Sequence, residues 1–325
     1  MSELIPAFDW QRVMVEPWTE GLGTFGWIML MGFLATAACG LVGNYLLLRR
    51  LALMGDAVSH SVLPGLVIAF LLTGSRGTGP MFLGALIAGV SATVLIELIH
   101  TRSRIKQDAA MGVAFTTLFA AGVVLTALYA DTIDLDVECV LFGEIAYVPF
   151  DEIVTAGGLV LGPLSVVRMG AVLLAVVVLI VAFYKELLVA SFDAGLARNL
   201  GVNPTAAHFG LMAVLSVVVV SAFEAVGAIL VIAMLILPGA TASLLAHRLS
   251  RVHLLTVAHA ALSAVAGVHL GVWLDCSIGA AMVVAGTGWF VLAWVFAPRD
   301  GLLAQAWRRA GGAARSEQPR EQIAE

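Results

Sequence analysis

LALMGDAVSHSVLPGLVIAFLL, residues 51–72, is apolar or small at almost every position, yet it carries Asp56 and His60. As a helix it is long enough to cross a hydrocarbon layer about 30 Å thick. Ionisable groups inside a bilayer are costly, and they usually mark a function.

The rest of the chain sets the same context. Of its 325 residues 61% are hydrophobic and only 12% charged, and the mean hydropathy is +1.00. A soluble globular domain is nearer 25% charged, so a water-soluble fold is excluded. Runs of about twenty apolar residues recur, at 23–48, 51–72, 80–100, 109–130, 169–186, 206–222, 224–245, 254–273 and 278–297. The expectation is an all-α integral membrane protein, a polytopic bundle of eight to nine transmembrane helices. One membrane domain, 23–298, lies between an interfacial N-terminal segment, 1–22, and a polar tail, 299–325. Trp10 and Trp18 suit a membrane interface, and the N-terminal segment does not read as a signal peptide, having no basic start and no apolar core. The segment 139–167 is too broken for a clean span and is expected to form a short re-entrant or peripheral helix pair. Cys39, Cys139 and Cys276 have no metal-finger spacing, and the last two read as unrelated thiols rather than a disulfide.

Basic residues orient the bundle. Arg49–Arg50, RSRIK at 102–106, Lys185 to Arg198, HRLSR at 247–251 and the tail all fall on one side. That side holds 14 of the 17 Lys and Arg residues, all but Arg12, Arg76 and Arg168. The positive-inside rule makes it cytoplasmic, C-terminus included. The opposite side is acidic: DTIDLDVE at 131–138, then Glu144, Asp151 and Glu152. Such a loop either raises local cation concentration or is simply solvated.

Asp56 and His60 are spaced i, i+4, which puts both on one helix face a turn apart. Pro64 has no N–H, so the carbonyl of His60 loses its helical partner and becomes a spare acceptor. Gly55, Ser59 and Gly65 let a neighbouring helix, or an ion with some water, come close. Two readings follow: a shared divalent cation, or an Asp–His hydrogen bond that pins helices. The proline and the small neighbours favour the cation. One carboxylate and one imidazole without thiolate suit Mn²⁺, Fe²⁺ or Zn²⁺. Two protein ligands are too few for a tight structural site, which suits a pathway that must release its ion. Metal binding needs neutral imidazole, so uptake should fall as pH drops through about 6.5.

Other ionisable groups carry less. Glu224, in SAFEAVG, is wet if the chain turns there and faces the pathway if the helix continues; with Ser59 it is kept as a possible pathway residue. Glu97 and His100 read as interface anchors, and His259 and His269 as packed or interfacial histidines.

LLVASFDAGLARNLGVNPTAAH, residues 187–208, lies on the basic side and reads as a short amphipathic helix near 190–202. Phe192, Leu196 and Leu200 share one face, Gly201 stops the helix, and Pro204 bars immediate continuation. It is either a docking knob for a second protein or an interfacial helix resting on membrane lipid.

FDAGLARNLGV resembles the coupling helix of ATP-binding-cassette importer permeases, and GDAVSHSVLPG resembles the signature of the manganese, zinc and iron branch. DAAMGVAFTTLFAAGVVL (108–125), VLFGEIAYV (140–148) and VGAILVIAMLILPGATASLLAHRL (226–249) agree with that branch. The resemblance implies a type II, cobalamin-importer-like permease in a bacterial cytoplasmic membrane. It implies a second permease subunit, cytoplasmic ATP-binding subunits and an extracytoplasmic metal-binding protein. Asp56 and His60 would then line the metal path, and Phe192, Asp193, Ala194, Leu196, Ala197, Leu200 and Gly201 would meet the ATPase. Mn²⁺, Zn²⁺ or Fe²⁺ would be cargo, with no permanently bound cofactor. Glu224 stands where the pattern has an uncharged polar residue.

The chain has no Gly–Lys dipeptide, hence no Walker A loop, and is not itself an ATPase. With a pI of 5.8 it shows no basic face for nucleic acid. The rivals are a metal-chelate (siderophore or cobalamin) permease, an ion-coupled secondary metal transporter using the Asp–His pair for protons, and a scaffold. A chelate path needs a wide apolar cavity without metal ligands, so Asp56 and His60 speak against it.

Overall fold

The computed structural model describes residues 6–74, 78–129, 145–156, 159–298, 301–305 and 307–308. Apolar runs became helices that stop where charge, glycine or proline interrupts them. In chain order these are α1 (Leu22–Leu48), α2 (Met54–Thr73), α3 (Thr78–Arg102), α4 (Gln107–Leu128), α5 (Leu164–Ala182), α6 (Tyr184–Phe192), α7 (Ala194–Asn199), α8 (Pro204–Val226), α9 (Ala228–Leu245), α10 (Leu249–Leu274) and α11 (Ile278–Phe296). Among the described residues, eight helices are long and apolar enough to cross a membrane, and α9 contributes a shorter apolar stretch, Leu230–Leu245. The nine expected spans are therefore all present as helices.

Two of the boundary differences from the expectation have a local cause. The fifth span begins at Leu164 rather than 169, because Asp151 Oδ2 accepts the Ser165 N–H at 3.2 Å and starts the helix early. The break between the sixth and seventh spans falls at Gly227, not at 222–225. Gly227 has φ +84°, a backbone that residues with a Cβ rarely adopt.

The expected helix pair in 139–167 is corrected over its described part. Ile145–Phe150 forms a 3₁₀ turn, and β1 (Ile153–Ala156) pairs antiparallel with β2 (Leu159–Pro163). Ile153, Val154, Thr155 and Val160 are β-branched and favour an extended chain over a helix. Pro149 falls within the 3₁₀ turn, where it cannot donate a helical hydrogen bond. Residues 139–144, including Cys139 and Glu144, and the acidic stretch 131–138 lie outside the described residues.

α1 is the central post. It packs against α5, α8, α9 and α10, and two-thirds of its most apolar window (67%) is buried, against 17% for α4 and 22% for α5 and α11. Tyr45, Met31 and Leu46 of α1 are sealed with Met54, Met212, Leu215 and Leu235. α2, α3 and α4 form a second packed group that joins the post through α8 and α9.

The N-terminal segment clasps the end of α10. Trp18 Nε1–H donates to His269 Nε2 at 3.1 Å, His269 Nδ1 meets the Val13 carbonyl at 2.7 Å, and Trp273 Nε1–H donates to the Pro6 carbonyl at 3.1 Å. An indole N–H only donates, so His269 accepts at Nε2 and carries its proton on Nδ1. His269 is thus packed against the N-terminal segment, one of the two readings its sequence position allowed.

Candidate metal path

Asp56 lies in the first turn of α2 and His60 one turn on. His60 Nε2 stands 3.1 Å from Asp56 Oδ1. Their side chains are 26% (His60) and 29% (Asp56) exposed, so the pair is half-buried and still reachable. Val58, between them, points the other way and is fully buried towards Gly89 of α3. The face carrying the pair is therefore not the face that packs into α3. Opposite the pair stands α4: the Phe115 and Phe119 ring centroids lie 5.8 and 5.7 Å from the His60 ring, one tilted at 32° and one edge-on at 86°. These two phenylalanines sit one helical turn apart and box the imidazole. Sequence reading missed this box, although the i, i+4 aromatic spacing in AFTTLF was visible.

The small neighbours admit helices, not an ion. A Cβ on Gly55 would run into Leu235 Cδ2 of α9, and one on Gly65 into the Gly84 backbone of α3. Gly122 of α4 sits against Pro64, where a Cβ would meet the proline nitrogen at 2.9 Å. Pro64 is buried inside α2. Ser59 is a correction: it is 2% exposed, and its hydroxyl donates to the Asp56 carbonyl at 3.0 Å within its own helix. It does not share the open face. Glu224 falls within α8, three residues before Gly227, so the helix continues through it, but its side chain lies outside the described residues.

Among the described residues, no three His, Cys, Asp or Glu groups converge on a metal-sized space. Asp56 and His60 stand together as a pair, without a third such group beside them among the described residues.

The basic-side stretch folds as two helices, not one. Asp193 adopts an extended backbone (φ −148°, ψ 103°), and its Oδ1 accepts the N–H groups of Gly195 (2.8 Å) and Leu196 (3.0 Å). It ends α6 and caps α7. Gly201, at φ +80°, stops the chain after α7, and Asn203 then caps α8 with Pro204 in its first turn. Phe192, Leu196 and Leu200 are 69%, 49% and 61% exposed. Ala194 and Gly201 are exposed beside them. Ala197 is a second correction: it is fully buried and anchors the helix rather than offering surface. Arg49 Nε, at the end of α1, donates to Ser191 Oγ of α6 at 3.1 Å, which ties this unit to the central post.

Elsewhere, Glu97 Oε2 of α3 lies 3.4 Å from His208 Nε2 of α8. Glu97 was read as an interface anchor, and its partner His208 was not found from sequence. His100 Nδ1 approaches the Ile105 carbonyl at 3.2 Å. Among the described cysteines Cys39 is buried and Cys276 exposed, both as free thiols.

A helical bundle that threads the membrane repeatedly, with an open carboxylate–imidazole pair on one span and an apolar knob between two others, has the build of a transport permease. The chain belongs to the ABC 3 transport family, whose model matches residues 24–297. It is 42% identical over 282 residues to the manganese transport system membrane protein MntD of Bacillus subtilis, covering 87% of this chain and 95% of that one. It is 38% identical over 276 residues to the zinc transport system membrane protein TroD of Treponema pallidum, covering 85% of this chain and 75% of that one. Its fold matches PsaBC from Streptococcus pneumoniae, solved in complex with a Fab, with a TM-score of 0.73 and 31% identity, covering 90% of this chain and all of that one.

Proposed function

We propose that this chain is the membrane permease of an ATP-driven importer for a divalent transition metal, Mn²⁺, Zn²⁺ or Fe²⁺, and that Asp56 and His60 hold the ion in transit. One observation carries the reading: a carboxylate and an imidazole 3.1 Å apart on a membrane helix, both partly open. The curated relatives named for manganese and zinc transport support the cargo class.

The geometry supports the following course of transport. The ion arrives from an extracytoplasmic metal-binding protein and exchanges part of its water for Asp56 Oδ1 and His60 Nε2. The carboxylate supplies charge and the neutral imidazole a borderline-soft nitrogen. Phe115 and Phe119 hold the ring in one orientation and keep its surroundings apolar. With only two protein ligands the ion is held weakly enough to leave. Two cytoplasmic ATPase subunits press on the knob of Phe192, Leu196 and Leu200, and a second permease subunit faces this one. Arg49 and Ser191 pass that movement to α1, and the pair turns outward-facing as ATP is bound and inward-facing once it is hydrolysed. The basic end is cytoplasmic and the acidic end outside, a placement that the charge split supports.

The test is metal accumulation in cells that express the full importer, with Mn, Fe and Zn counted together by elemental analysis. Asp56→Ala and His60→Ala should each abolish accumulation of the same metal at unchanged protein level. Unchanged accumulation of all three metals sinks the assignment. For the knob, Phe192→Asp with Leu196→Asp should release the ATPase on purification while the permease still folds, since both side chains are exposed. Retention of the ATPase would remove the docking role.

A further inference from the structure

Between α9 and α10 the chain runs extended, with Ala246 at φ −141°, ψ 145° and Arg248 at φ −98°, ψ 125°. Beside that stretch lies a pocket of about 660 Å³, bounded on its third side by Pro298, just after α11. The volume is that of a ligand site rather than a packing defect. Its polar lining is His247, Arg248 and Arg251, and its apolar lining includes Leu245, Leu254 and Leu255. No carboxylate lines it, and α9, α10 and α11 contain no Asp or Glu at all. The helices that form the pocket therefore leave two guanidinium charges unopposed. α10 also begins without a side-chain cap at Arg248, so its first N–H groups add to the positive field.

The order of side chains along α10 decides which anion fits. Arg248 and Arg251 stand at the start of a helix long and apolar enough to cross a membrane, and Leu254 and Leu255 follow one turn deeper. Leu254 is 71% exposed and Leu245 of α9 43%. A free phosphate would meet the arginines and leave the leucines and most of the volume unused. A phospholipid uses both, because guanidinium forks match phosphate oxygens and leucines receive an acyl chain. Basic pockets between membrane helices are suited to anionic headgroups. We infer that this pocket is a specific site for one anionic phospholipid, with its phosphate on Arg248 and Arg251 and an acyl chain along Leu254 and Leu245. A zwitterionic lipid fits less well, because no carboxylate in the lining receives its cation. The tail 299–325 is a poor rival occupant, since it carries five arginines against four Asp and Glu residues. The site rests on the basic end meeting a membrane face, and not on the metal that Asp56 and His60 carry.

Native mass spectrometry of the purified importer tests it, after equilibration in micelles with equal amounts of phosphatidylglycerol and phosphatidylcholine of identical chains. One phosphatidylglycerol per permease chain should stay bound, and phosphatidylcholine should not replace it. Losing one arginine should weaken retention roughly five-fold and losing both roughly thirty-fold. Arg248→Gln with Arg251→Gln should therefore strip the lipid, and both side chains are exposed, so the variant should fold. Arg102→Gln with Arg104→Gln removes equal charge from exposed positions around the end of α3 and should leave the lipid bound. Excess inorganic phosphate should not displace it. Equal retention of the two lipids, equal loss from the two double variants, or displacement by phosphate overturns the site. Lipid retention unchanged in Arg248→Gln with Arg251→Gln also overturns it, and loss of the ATPase from that variant would then make the pocket a protein interface. The lipid is counted without metal, so this outcome and that of the accumulation test are separate.

Discussion

Asp56–His60 and Glu97–His208 are made of the same chemistry and differ in almost everything else. The first joins two residues of one helix at 3.1 Å, on a face turned away from α3 and boxed by two phenylalanines. The second joins α3 to α8 at 3.4 Å, with side-chain exposures of 17% for His208 and 23% for Glu97. One helix alone preorganises the first pair; the second exists only when two helices are packed. An ion that inserts between Asp56 and His60 parts two residues of one helix, whereas one that inserts between Glu97 and His208 must part a helix seam. On the proposed reading, the first pair exchanges its partner for the ion, while the second holds two helices together.

The hardest test of that contrast removes charge while keeping shape. Asp56→Asn should lower metal uptake by roughly tenfold or more, since loss of one ligand bond worth at least about 1.4 kcal/mol gives that factor. Glu97→Gln should leave uptake within about twofold once protein level is matched, because a partly exposed pair contributes only about 1 kcal/mol to stability and nothing to the ion. Uptake measured with radioactive metal in vesicles reads both. Equal loss from both variants would collapse the distinction.

A smaller effect sharpens the first pair. Phe115→Ala and Phe119→Ala remove ring contacts worth about 0.5–1.5 kcal/mol each beyond their buried area. The imidazole then loses its fixed orientation, and apparent affinity for the ion should fall by roughly two- to tenfold. The midpoint should fall by only a few degrees, because α4 is the least buried span, at 17%. A rise in half-saturating metal concentration supports the box. A fall in midpoint with affinity unchanged would make the phenylalanines packing residues only.

How far each pair could be read from sequence follows from how far apart its members lie. Asp56 and His60 are a local motif, and helical periodicity alone brings them to one face. Glu97 and His208 are joined only by the packing of α3 on α8, so nothing in either stretch announces the contact. The same limit explains the other differences. The spans were legible because twenty apolar residues in lipid have few alternatives. The hairpin at 153–163 was missed because its apolar residues carry no clean period. Asp193 lies in a stretch that reads as one amphipathic helix, whereas its capping role depends on a local backbone break. Ser59 and Ala197 were assigned by neighbourhood in the motif, and burial removed both from the surfaces proposed for them.

The smallest effect comes from His208. If Glu97–His208 is a clamp between helices, His208→Ala should lower the thermal midpoint of the detergent-solubilised protein by about 2–4 °C, the shift that roughly 1 kcal/mol gives in a domain of 150–250 residues. Glu97→Gln should do nearly the same. The double variant should lose no more than either single one, because both remove one shared interaction. That non-additivity separates a clamp from two unrelated surface residues, whose losses would simply add. Asp56→Asn with His60→Ala supplies the counter-case, because their contact lies within one helix that other contacts already hold. Their removal should lower the midpoint in metal-free buffer only by the lost ring contacts of His60 with Phe115 and Phe119, and should abolish any rise in midpoint on adding Mn²⁺. A midpoint that still climbs with Mn²⁺ in that double variant, and stops climbing in His208→Ala, would reverse the roles of the two pairs.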